Sequence, residues 1–180
     1  MEIASTIPAD AIADLGCGPN KVSGAFGIDH FKYPGVDLVA DLNETHWKIP
    51  DNSFGELHSR HVIEHVKDVV LFMKEIHRIS KPGGLVHIST PHFSSVNSYE
   101  DPTHLRHMSA HWYEFMLDGK YMNSRVATFE LVSTRVTFGK SLQAQIGSWI
   151  VSARGLKKWE KSLAFVFPGM DIQTTLRVLK

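Results

Sequence analysis

Ala11-Ile12-Ala13-Asp14-Leu15-Gly16-Cys17-Gly18-Pro19-Asn20 is the stretch whose reading decides the fold. A short apolar run ends in a Gly/Pro/Asn turn, the pattern of a buried strand feeding a tight loop. Outward from it, residues 25–29 and 36–41 read as two more short strands, each ending in an acid, and 54–59 as a fourth. An amphipathic helix is expected from Glu64 to Ser80, because Val66, Val69, Val70, Met73, Ile76 and Ile79 recur near the 3.6-residue period. Lys81-Pro82-Gly83-Gly84 ends it, and 85–89 is a fifth strand. Strands alternating with helical pattern predict an α/β fold around a mostly parallel sheet.

The second half reads differently. Ser109 is placed to cap a helix to about Asp118, with Gly119 as its stop. Residues 129–138 alternate as a strand, 141–167 is helical in pieces, and 171–179 closes the chain as a seventh strand. No linker interrupts the pattern, so residues 1–180 read as one domain, a cofactor-binding half (1–92) and an acceptor or lid half (93–180). The helices near the N-terminus are reduced, since only eight residues separate Gly18 from Gly27. A helical crossover between parallel strands usually takes about a dozen residues or more.

Composition narrows the function classes. Nineteen basic residues balance nineteen acidic ones, so no overall field draws the chain to nucleic acid. No apolar stretch approaches the ~20 residues of a membrane span. The start, Met-Glu-Ile-Ala-Ser, has neither the basic opening nor the apolar run of a leader. The single Cys17 precludes an internal disulfide, and together these predict a cytoplasmic setting.

Glycines directly after a strand let a ligand approach the backbone, and an acid at the tip of the next strand can accept from a ribose diol. Five segments carry a resemblance: DLGCGPNK (14–21), GID (27–29), VADLNE (39–44), DNSFGELHSRHVIEHV (51–66) and KPGGLVHISTPH (81–92). In this order they resemble the class I (Rossmann-like) S-adenosylmethionine-dependent methyltransferases of the type 11 group. The GCGPNK spacing is also similar to small methyltransferases encoded near polysaccharide biosynthesis genes. The resemblance implies S-adenosylmethionine as cofactor, with Asp14, Gly16, Cys17 and Gly18 at its methionine moiety. It likewise implies Asp29 at the ribose, Asp41 and Leu42 at the adenine, and Ser59 between cofactor and acceptor. The implied reaction is methyl transfer, with a hydroxyl of a small molecule or glycan as the expected acceptor.

For such a transfer a histidine base is the usual choice near neutral pH. His61, His92 and His104 are the candidates, with His92 or His104 ahead of His61 as the base and Glu64 and His65 as further candidates. His104, His107 and His111 fall at i, i+3, i+7, but Asp101-Pro102 and the cap at Ser109 place the first two in a loop, so no metal site is expected. The apolar residues of 145–167, among them Ile146, Trp149, Trp159 and Phe165, are expected in the core. A membrane-touching patch beside Arg154, Lys157, Lys158 and Lys161 is the alternative. A methyltransferase-like domain that binds without catalysis is the other reading, because the shortened first crossover removes the helix end that usually faces the ligand.

Overall fold

Short parallel strands are stabilised by burial among neighbouring strands and covering elements, and the N-terminal half supplies them. A computed structural model describes residues 7–8, 11–117 and 128–180. In it β1 (Ile12–Leu15) lies between β2 (Phe26–Asp29) and β4 (Phe54–Arg60), with β3 (Leu38–Val39) outside β2, all parallel. Next come α1 (Val69–Ile79) and β5 (Ser80–Pro91), which pairs parallel with β4. The short turns α2 (Asn97–Glu100) and α3 (Glu114–Leu117) precede β6 (Thr128–Val136). After α4 (Leu142–Arg154) and α5 (Leu156–Ser162), β7 (Asp171–Leu179) inserts antiparallel between β5 and β6. The sheet order is β3-β2-β1-β4-β5-β7-β6, and the expected seven-stranded, mostly parallel architecture is the one observed.

The crossovers 16–25, 30–37 and 40–53 contain no helix. Side-chain hydrogen bonds close them instead. Asp14 Oδ2 accepts from Val22 N (2.7 Å), Asp29 Oδ2 from Gly18 N (2.8 Å) and Asp37 Oδ2 from Gly27 N (2.7 Å). Glu75 and Arg78 of α1 hold the third crossover through Trp47 N and Ile49 O.

The sheet therefore has one covered and one open face. Ala13, Leu15, Ile28, Leu57, Val86 and Ile88 are buried on the covered face, under α1 and the apolar residues of the 47–66 loops. On the other face His58, Arg60, His87, Ser89, Gln173 and Thr175 line a polar cavity of about 490 Å³.

Strand β3 is shorter than the expected 36–41, and three boundaries differ by four residues or more from the sequence reading. Helix α1 starts at Val69, with Asp68 Oδ1 accepting from Val70 N and Leu71 N. The five residues expected before it, 64–68, are not helical. The Arg106 guanidinium takes the carbonyls of Ile63 and Val66, and Lys67 N donates to Asn43 Oδ1 rather than to the preceding turn. Strand β5 begins at Ser80 rather than 85, with a register shift that loops out residues 81–84. The helix expected at 109–118 shrinks to α3, with Ser109 capping only a turn (His111 N to Ser109 Oγ, 3.1 Å). Its expected last residue, Asp118, and the stop at Gly119 lie outside the described residues.

Candidate active site

The carboxyl ends of β1, β2 and β3 meet the 61–66 loop around a cavity of about 370 Å³, within the range of small-molecule sites. Gly16 opens it with φ +61°, and a Cβ there would stand 2.3 Å from Val62 Cγ2, so this approach of loop to strand requires glycine. Gly18, at φ +52°, has open space where a Cβ would be. Asp29 and Asp41 line the cavity with Leu42, as expected from their strand-end positions. Asp29 Oδ1 accepts from Phe31 N at 2.9 Å, and each of its oxygens keeps a second lone pair for a ligand hydroxyl. Asp41 Oδ1 accepts from Asn43 N and Nδ2; these bonds hold its carboxyl below the usual range.

Three expected cofactor contacts sit elsewhere. Asp14 is fully buried, and its Oδ2 holds Val22 N and the Arg60 guanidinium (2.8 Å), so it braces the 16–22 loop from beneath. Its Oδ1 is buried with no hydrogen-bond partner among the described residues. Cys17 turns inward, where a Cβ on Gly27 would meet its sulfur at 2.9 Å, and burial pushes its thiol up. Ser59 is buried on the covered face of β4. Sequence reasoning missed His30, Phe31 and Asn43, which complete the cavity wall. Only their adjacency to the two acids could have signalled them.

Of the candidate bases, His61 alone lines this cavity. It follows β4 with a left-handed φ of +55°, uncommon for a residue with a Cβ and found preferentially at functional sites. That turn drives Val62 against Gly16 and leaves the imidazole half exposed. Its Nδ1 is 3.4 Å from Glu64 Oε1, and its Nε2 is 4.0 Å from Asp171 Oδ1. Glu64 is 1% exposed: Oε2 accepts from Thr90 Oγ1 (3.0 Å), while Oε1 has no hydrogen-bond partner among the described residues. The Glu64 carboxylate raises the His61 pKa above its usual range despite partial burial, and Asp171 adds to the effect. Burial in turn raises Asp171, with Glu64 reinforcing it and His61 opposing.

His104 stands at the rim of the same cluster, with Nδ1 on Ser98 O (3.0 Å) and Nε2 4.0 Å from Glu64 Oε1. The 101–107 segment straps the 61–67 loop through Leu105 N to Glu64 O (2.9 Å) and the Arg106 guanidinium.

His92 belongs to a different environment. It is fully buried, Ser94 N donates to its Nδ1, and Nε2 is therefore the protonated nitrogen, donating to Glu160 Oε1 at 3.0 Å. Glu160 also accepts from Ala110 N (2.6 Å) and contacts His111 Nδ1 (2.7 Å). Burial opposes its ionisation, but these three partners outweigh it and lower the Glu160 pKa to about 2. Both His92 nitrogens are occupied and no ligand can reach them, so the expectation of a base there gives way to a structural role.

The three histidines weighed as metal ligands are held apart: His104 by Ser98 O, His107 by Ser98 Oγ (2.9 Å), and His111 by Glu160. Other sets do come together. Glu64, His65 and His104, and Glu56, His58 and His87 on the open face, each bring three ligand-type atoms within 4.8 Å.

Comparison with known proteins follows this geometry. A family profile described as "Methyltransferase domain" matches residues 8–134. No curated protein matches the sequence. Among solved structures, an S-adenosylmethionine-dependent methyltransferase from Mesorhizobium loti superposes with TM-score 0.60 at 16% identity, covering 95% of this chain and 92% of its own. A SAM-dependent methyltransferase from Archaeoglobus fulgidus gives 0.59 at 17%, covering 97% and 89%. The [4+2]-cyclase SpnF gives 0.59 at 16%, covering 98% and 78%. At these identities the likeness is one of fold.

Proposed function

Because this chain belongs to the methyltransferase-domain family, with S-adenosylmethionine as its cofactor, we propose that it methylates a hydroxyl of a small molecule or glycan, with His61 as base. The observation that carries this reading is the His61–Glu64 pair at the mouth of the cavity, a half-exposed imidazole whose Nδ1 lies 3.4 Å from a buried carboxylate oxygen. The bound cofactor supplies an electrophilic methyl group on a sulfonium centre.

The chain's own residues do the rest. Asp29 and Asp41 hold the nucleoside end, with Gly16 and Gly18 toward the methionine moiety. Glu64 fixes the His61 ring through Nδ1 and stabilises the imidazolium, leaving Nε2 to take the acceptor's proton as its oxygen attacks. His104 and the 101–107 strap keep Glu64 dry, which strengthens its hold on His61.

Calorimetric titration of S-adenosylmethionine and S-adenosylhomocysteine, followed by an S-adenosylhomocysteine-release assay over hydroxylated small molecules and glycans, tests the reading. Asp29→Ala should weaken cofactor binding about ten- to a hundredfold. Folded protein that binds neither ligand would overturn it.

The second reading, a domain that binds without transferring methyl, is favoured by the helix-free 16–25 crossover and by the fold's presence in a [4+2]-cyclase. It predicts cofactor binding with no S-adenosylhomocysteine released for any acceptor.

A further inference from the structure

The helical segment between β6 and β7 buries only one side. On α4, Ala144, Gly147 and Ile150 face inward, and on α5 Trp159 is fully buried, its Nε1 donating to Phe167 O (3.1 Å). The expectation that the apolar residues of 145–167 form core holds for Ile150 and Trp159, with Val151, Leu156, Leu163 and Phe167 packed against them, and fails for Ile146, Trp149 and Phe165. Leu142, Ile146 and Trp149 are 74%, 38% and 69% exposed. Steps of four and three place them on one line of the helix. The turn after α5 adds Phe165 (76%) and Val166 (53%), and the Gln143 side chain donates to Val166 O, so the two apolar groups adjoin.

The charge around them is mostly positive, with Glu114 reaching Lys157 from outside the segment at 3.8 Å. Residues 140–170 contain Lys140, Arg154, Lys157, Lys158 and Lys161, all exposed, against a single acid, Glu160. That acid is turned inward to His92, Ala110 N and His111. In a chain whose charges balance overall, this concentrates positive charge beside exposed Leu, Trp and Phe, the composition of helices that lie in a bilayer interface. Tryptophan prefers that depth because its ring is apolar and its N–H polar.

We propose that the α4–α5 face docks on an anionic lipid surface, with Trp149, Leu142 and Phe165 inserted at the headgroup boundary and the lysines on lipid phosphates.

The chain has a built-in reporter. Of its four tryptophans, Trp47, Trp112 and Trp159 are buried and only Trp149 is exposed. The test mixes the whole chain with vesicles of phosphatidylcholine, with or without phosphatidylglycerol, and reads sedimentation and tryptophan emission. Binding to the anionic vesicles with a blue shift is expected, weakened by salt. Trp149→Phe should abolish the shift but keep binding. Trp149→Ala and, separately, Lys157→Glu with Lys158→Glu should each weaken binding about tenfold or more. These positions are exposed, so folding is preserved.

No binding to either vesicle overturns the inference, and so does equal binding to both. A blue shift that grows with protein concentration without lipid, alongside a doubled mass, would assign the face to a second copy instead. Cofactor titration of the same samples keeps this outcome separate from that of the proposed reaction.

Discussion

Two histidine–carboxylate clusters occupy the same edge of the sheet and are built to opposite rules. In one, Glu160 holds His92, Ala110 N and His111, and both ring nitrogens of His92 are occupied. In the other, Glu64 Oε1 and Asp171 Oδ1 are buried without hydrogen-bond partners among the described residues, with the half-exposed His61 3.4 and 4.0 Å away. Buried polar groups are normally satisfied, because an unmade hydrogen bond costs about 1–3 kcal/mol. Two such oxygens beside a half-exposed imidazole fit the proposed use of this cluster in proton transfer. The satisfied cluster is architecture, and the open one is where the proposed reaction places its base.

The largest expected effect separates them by kind. His61→Asn, which tolerates the left-handed backbone, should lower turnover by about 10²- to 10⁴-fold while leaving the thermal midpoint nearly unchanged. His92→Gln should do the reverse, lowering the midpoint with turnover per folded molecule preserved. Loss of turnover in His92→Gln at full stability would dissolve the contrast. Next in size, Glu160→Ala leaves three buried donors without an acceptor and should cost about 3 kcal/mol in chemical denaturation. Glu64→Gln should cost far less stability, because one of its oxygens is unpartnered already.

The sequence made the sheet legible because its signals are local. β7 was read at 171–179, its observed bounds, and the acids at the tips of β2 and β3 fell on the cavity wall. What escaped is set by partners distant in sequence. Nothing near Glu64 says that Arg106 will take the carbonyls of the 63–66 turn and forbid a helix there. Nothing near His92 says that Glu160, 68 residues on, will lock it away from the cavity. Apolar spacing on α4 is equally silent about which of two apolar sides faces water: Ile150 is buried and Trp149, its neighbour in sequence, is not.

A smaller effect probes how the open cluster is set. The φ of His61 presses Val62 on Gly16, so Gly16→Ala meets both a left-handed backbone and a 2.3 Å contact. It should cost about 2 kcal/mol of stability and, by displacing Val62, weaken S-adenosylmethionine binding in calorimetry. A variant as stable as wild type would mean that the 61–66 loop is looser than this packing implies.

The smallest effects are in pH, and the two clusters should respond in opposite directions. Glu160 is depressed to about 2 from 4.5. Its contribution is complete above pH 4.5 and is lost as pH falls toward 2, on the order of 2 kcal/mol, and Glu160→Gln should flatten stability across that window. His61 is raised above 6.5, so whatever stability its pairing adds is complete below 6.5 and fades as pH rises through its folded value. The deprotonated ring is the base, so turnover should climb over that same alkaline interval while this contribution declines. Glu64→Gln should bring the kinetic limb back toward 6.5 and leave the Glu160 window untouched. A limb that stays put would mean that Glu64 does not set the proton affinity of His61, and the distinction between the clusters would then rest on burial alone.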